Sequence, residues 1–66
     1  MINFDFSEAL RRLKDGKTLG RLAWHDSTIF MLNGGYYMDL FGRQLPWCPT
    51  WDDLSANDWF QIHRRD

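Results

Sequence analysis

Apolar residues at Phe6, Ala9, Leu10 and Leu13 follow the spacing i, i+3, i+4 and i+7, which places them on one stripe of a helix. Asp5 stands where its carboxylate can accept the free backbone N–H groups of the first turn. Glu8, three residues on, completes a capping-box spacing. Arg11, Arg12 and Lys14 are expected to face away from the stripe, and Gly16 offers a left-handed C-terminal cap. After Gly16 the period changes to two. "KTLGRLAW" (17–24) reads as a strand with Thr18, Gly20, Leu22 and Trp24 on one face and Leu19, Arg21 and Ala23 on the other.

"HDS" (25–27) reads as a turn, because short polar side chains bond back to nearby backbone. "TIFML" (28–32) is a continuous apolar strand. "NGG" (33–35) is the strongest hairpin signal in the chain, since these residues accept positive φ at little cost. "YYMDL" (36–40) is the return strand and "FGR" (41–43) turns again. "QLPW" (44–47) is a short strand ended by a proline, which cannot donate to a ladder. "TWDDLSAND" (50–58) reads as one helical turn or a compact loop, with Thr50 capping and Asp53 at the capping-box position. "WFQIH" (59–63) is a last strand before a charged tail, "RRD". The expected fold is α+β: an N-terminal helix packed on a small antiparallel β-meander, in a single compact domain over 1–66.

Size narrows how such a fold can hold together. A chain this short buries only about 60% of the surface its unfolded form exposes. Its core alone rarely supplies more than about 3–5 kcal/mol, so small scaffolds need staples. Cys48 is the only cysteine and excludes an intrachain disulfide, which fits a reducing cytoplasm. Packing of the eleven aromatics and self-association are the remaining routes.

The charge pattern excludes broad classes of partner. A net charge of −1 argues against nucleic acid and against a membrane surface. No apolar run is long enough to span a bilayer, and the first residues lack the apolar region of a signal peptide. Residues 1–21 carry five basic and three acidic groups, and residues 22–63 carry one and five. That asymmetry reads as a solvated helix face above a mildly acidic sheet.

Catalytic and metal chemistry find little to stand on. His25–Asp26 resembles a metal-binding dipeptide, but His63 is the only other histidine. Cys48 lies between Trp47 and Pro49, with no neighbouring cation to lower its pKa. The acidic group Asp52, Asp53 and Asp58 lacks calcium-loop spacing. No catalytic residue, metal ligand or cofactor is expected, and the chain is not expected to be an enzyme.

The aromatics remain. Trp59 alternates with its neighbours in a strand and is expected in the core. Trp24 ends a strand beside a polar turn, and Trp47 and Trp51 lie on a proline-bounded segment. Rings held on a stiff segment suit stacking on a planar ligand, at about 1–3 kcal/mol per base. The same rings would equally seal an oligomer interface.

Two segments carry a family resemblance. "NFDFSEALRRLKDGKTLGRLAW" resembles the opening of the phage family of the second Thoeris anti-defence protein: an Asn/Asp-Phe, a Glu-Ala-Leu helix, a Gly-Lys pair and a strand with Arg and Trp. "LPWCPTWDDLSANDW" resembles that family's Pro-Trp, Ser/Thr, Asp-Leu and Asp-Trp signature. Many members carry a long central insertion where this chain has only "HDSTIFMLNGG". Thr50 stands at a usual serine, and Ser55 at a common leucine.

The resemblance implies a small α+β sponge that assembles as a homo-oligomer, tetramer or dimer, in the cytoplasm of the bacterial host. Such sponges sequester cyclic ADP-ribose-type signals, and some also bind cyclic dinucleotides, without cleaving them. Carried over, it implies a pocket in which Arg21 pairs a phosphate, Trp24 and Trp47 stack a base, and Thr50 and Asp53 bond ribose hydroxyls. Tyr37 and Trp51 enter as further aromatic candidates. The alternative is a small protein-interaction module that inhibits a host protein through an aromatic patch.

Overall fold

The periodic stripe forms α1, Phe6–Lys14, in a computed structural model that describes residues 2–24 and 27–63. The turn expected at His25 and Asp26 and the tail Arg64–Asp66 lie outside the described residues. Asp5 caps α1, its Oδ1 accepting the Glu8 N–H at 3.0 Å. Glu8 does not reach back to close the box, because its carboxylate accepts from Arg11 (2.6 Å) and Arg12 (2.8 Å) instead. Those two guanidinium groups hold the Glu8 carboxyl at about 2, well below its ordinary value. Arg12 does not face away as the spacing suggested. It donates to Gln61 at 2.9 Å and lies 4.3 Å over the Phe4 ring. Gly16, at φ 89°, ends the helix with paired bonds, Gly16 N–H to the Leu13 carbonyl and Lys17 N–H to that of Arg12.

Five strands follow: β1 (Thr18–Arg21), β2 (Thr28–Leu32), β3 (Gly35–Leu40), β4 (Arg43–Pro46) and, after the short helix α2 (Trp51–Ser55), β5 (Trp59–Ile62). They form one antiparallel sheet in the order β4-β3-β2-β1-β5. The meander therefore covers β1 to β4, and α2 carries the chain back so that β5 closes on β1. Phe4 bridges to the far side of Trp59, with backbone bonds of 3.0 and 3.2 Å.

Both central hairpins turn on two residues with positive φ, Asn33–Gly34 (52° and 80°) and Phe41–Gly42 (51° and 82°). Asn and Gly take that backbone readily. A phenylalanine there costs about 1–2 kcal/mol. The Trp47 N–H donates inward to Tyr36 at 3.0 Å, so Gln44 and Pro46 turn their backbone outward by alternation. Pro46 thus sits where its missing N–H removes no ladder bond, on the open edge of the sheet.

Pair register divides the sheet into two faces. Leu19 stands opposite Ile29 and Gln61, Arg21 opposite Trp59, and Ile29 opposite Met38. This face receives α1, and Ala9, Leu13, Leu19, Ile29 and Trp59 form its buried centre. The other face carries Gly20 opposite Phe60 and Phe30 opposite Tyr37. A Cβ on Gly20 would stand 3.0 Å from the Phe60 ring, so the glycine lets that ring lie flat across β1. Trp24 does not share the Gly20 face as a longer strand would require. The strand ends at Arg21, the Trp24 N–H folds back to the Arg21 carbonyl at 2.9 Å, and the indole packs against the core side.

Candidate functional site

Four aromatics meet on the helix-bearing face. Trp59, fully buried, is the floor. Trp24 meets it edge to face at 5.2 Å and Trp47 at 6.3 Å. Trp24 and Trp47 touch each other at 6.3 Å, and Tyr36 closes on Trp47 at 6.4 Å. Trp24, Tyr36 and Trp47 are half-buried, so this wall has one side in protein and one open. Edge-to-face contacts fix each ring by the quadrupole of the next.

Beside the wall lies a charged cluster. Arg21, only 7% exposed, donates from Nε to Asp58 Oδ1 and from Nη1 to Asp53 Oδ1, each at 2.8 Å. Its guanidinium carbon is 5.8 Å from both the Trp24 and the Trp59 rings. Asp58 also accepts the Ala23 N–H at 3.1 Å and so pins the turn that aims Trp24. Asp53 and Thr50 form the expected capping box at the start of α2. The Asp53 carbonyl accepts the Trp59 indole N–H at 3.2 Å. Ring floor, cation and helix are thus one connected unit.

The structure brings Arg21, Trp24, Trp47, Thr50 and Asp53 into one region, where Arg21, Thr50 and Asp53 already make internal hydrogen bonds. To pair a phosphate, Arg21 would have to give up two carboxylates in a cluster whose acids (Asp52, Asp53 and Asp58) outnumber its one guanidinium. Asp53 is 4% exposed, and both its oxygens already accept bonds, from Arg21 and the Thr50 N–H. A ribose hydroxyl at Asp53 would compete with both. Arg21 also occupies the centre of the acidic group Asp52, Asp53 and Asp58. Trp51 is 83% exposed on the outer side of α2. Tyr37 lies on the opposite sheet face, stacked on Phe30 at 6.1 Å.

Two members of the region went unread in the sequence. Tyr36, not Tyr37, joins the wall. The period of two, carried from Ile29 across the two-residue turn, would have found it. Asp58 stands in the sequence only as one of an acidic group, and no local spacing points to its partner 37 residues away.

Asp58 also links the region to pH. Burial pushes its carboxyl up, but the Arg21 hydrogen bond, the Ala23 N–H and the Arg21 charge outweigh this and hold it below its ordinary value. Its contribution to stability is therefore complete above the unfolded carboxylate range and is lost as pH falls through the folded value. Urea midpoints are expected to drop as pH goes from about 5 to about 2. The drop should be smaller in Asp58→Asn than in the parent.

The model of the Tad2-like family, the Thoeris anti-defense 2-like domain, matches residues 4–62. The chain belongs to that family. The match begins at Phe4, whose bridge secures β5, and ends at Ile62, the last residue of β5, so it spans every element described above. A search of curated proteins found no match. Membership gives the chain a phage anti-defence role. Among the described residues, no helix is long and apolar enough to cross a membrane.

Proposed function

We propose that this Tad2-like chain is a non-catalytic sponge for a cyclic nucleotide immune signal of the cyclic ADP-ribose class, acting as a homo-oligomer in the bacterial cytoplasm. The observation that carries the reading is the wall of Trp24, Tyr36 and Trp47 over buried Trp59. A base stacks on Trp24 and Trp47. Arg21, Asp53 and Asp58 work from behind the wall, fixing the turn and the helix that hold the rings. Thr50 maintains α2 through its cap.

Sequestration needs no bond-breaking group. Sites that bind tightly and outnumber the signal lower its free concentration by mass action. Preorganisation supports tight binding, because rings already locked against one another lose little freedom when a ligand arrives.

Trp24→Ala tests the wall. Circular dichroism should show a folded protein. Calorimetry with a cyclic ADP-ribose isomer should show affinity reduced about tenfold or more, the equivalent of one stacked base. A variant that fails to fold would make Trp24 a core residue only, and unchanged affinity would place the ligand elsewhere.

A further inference from the structure

Four acids are buried or half-buried among the described residues, and three of them are paired. Glu8 bonds Arg12, and Asp53 and Asp58 bond Arg21. Asp39, half-buried on β3, has no ion-pair partner among the described residues. Its Oδ1 accepts the Gly42 N–H at 3.1 Å, which orients the carboxylate and leaves Oδ2 to a partner from outside. A partly desolvated anion is costly until such a partner arrives.

Asp39 belongs to the sheet face that α1 does not cover. Register places Thr28 and Gln44 beside it, and Phe30 and Tyr37 in the next row. Thr18 shares that face, since it alternates with Leu19, which is in the core opposite Ile29. Asp39 is the only charged strand residue there, because Arg21 and Arg43 alternate onto the helix-bearing side.

A cavity of about 240 Å³ opens here, lined by Gly16, Thr18, Phe30, Met31, Asp39 and Gln44. Asp39 and Gln44 are direct cross-strand partners, so a carboxylate and an amide carbonyl stand side by side, about 5 Å apart at Cβ. Phe30 is diagonal to Asp39, within reach of its long side chain, and Tyr37 steadies the ring at 6.1 Å. Among the described residues no Lys, Arg or His lines the cavity, so a phosphate finds no cation. A carboxylate beside an aromatic ring selects a cation instead. A guanidinium suits this set better than an ammonium. Being flat, it lies against a ring while its edge donates to two neighbouring acceptors. The volume falls below the roughly 300–1,000 Å³ of drug-sized ligands, which favours a small molecule.

We infer that the open sheet face carries a binding site, separate from the tryptophan wall, for a small organic cation with a guanidinium head. Asp39 and Gln44 accept its N–H groups, and Phe30 lies against its plane. The site is on the opposite face from the wall and takes the opposite charge from an anionic signal, so it stands independently of the reading above.

NMR of the backbone amides of the full chain tests it, in a titration with butylguanidinium chloride against sodium chloride at equal ionic strength. Saturable shifts are expected at Thr18, Phe30, Asp39 and Gln44. Asp39→Asn keeps an oxygen for the Gly42 N–H and should raise the dissociation constant about tenfold. Gln44→Glu puts a second carboxylate beside Asp39 and should lower it severalfold, a gain that misfolding cannot produce. Calorimetry of Asp39→Asn with a cyclic ADP-ribose isomer should match the parent, which separates this site from the wall. No saturable shift on this face, or equal affinity in Asp39→Asn, overturns the site. Butylammonium bound as tightly overturns the guanidinium assignment. A capped arginine tripeptide bound more tightly than butylguanidinium overturns the small-molecule ligand in favour of a protein partner.

Discussion

Trp59→Ala is expected to leave the chain unfolded in water. The ring is fully buried, and Phe6, Trp24 and Trp47 all pack on it, Phe6 at 5.6 Å. Its indole N–H holds the Asp53 carbonyl, and its backbone pairs with Phe4 on one side and Arg21 on the other. Truncating a buried aromatic costs about 3–5 kcal/mol. A core of this size supplies about that much in total. Trp59→Phe separates the ring from its hydrogen bond: most of the volume stays, and the loss should be about 1–3 kcal/mol for the unsatisfied carbonyl and smaller ring. Far-ultraviolet circular dichroism and urea unfolding read both. A cooperative transition in Trp59→Ala would show that the fold is not organised around this residue.

Arg21→Met is expected to have the second largest effect. It keeps much of the stem but removes the cation between Asp53, whose side chain is 5% exposed, and Asp58, at 26%. Removing one partner of a buried pair costs about 3–5 kcal/mol, because the remaining charge stays buried and uncompensated. Acid should narrow the difference from both sides. In the parent the Asp58 carboxyl is lowered, so stability is lost as pH falls. In the variant burial is left without the cation that outweighed it, the Asp58 carboxyl rises, and protonation relieves the strain. Urea midpoints of the two proteins should converge toward low pH. A gap that stays constant with pH would mean that Arg21 acts through packing of its stem alone.

Most of the local structure was legible in the sequence, because local physics controls it. The stripe of Phe6, Ala9 and Leu13 demands a helix, Asn33–Gly34 a two-residue turn, and Thr50 with Asp53 a capping box. The core position of Trp59 follows from alternation in a short strand beside an apolar stripe.

What escaped depends on groups distant in sequence. The strand from Lys17 was drawn through Trp24 because the period of two continues that far. Asp58, 35 residues beyond Ala23, takes the Ala23 N–H and bends the chain, which carries Trp24 to the other face. Arg12 reads as outward on a helical wheel, yet Gln61, 49 residues away, draws it across α1. β5 beside β1 is equally non-local, since the run between them fixes only that the chain returns.

The candidate site shows the same division. Residue types and segments were readable: two tryptophans on a proline-bounded stretch, an arginine three residues before a third, a threonine and an aspartate at capping distance. Their roles depended on contacts no spacing encodes. The carboxylates that hold Arg21 lie 32 and 37 residues on, where no local spacing reveals them.

The proposed sequestration leaves the bound molecule chemically unchanged, and one measurement addresses this directly. The protein is mixed with a cyclic ADP-ribose isomer, separated from unbound ligand and heat-denatured, and the released small molecule is identified by mass spectrometry. Uptake in proportion to protein and release of the intact signal are expected. No uptake, or release of a hydrolysed or otherwise altered molecule, would contradict it.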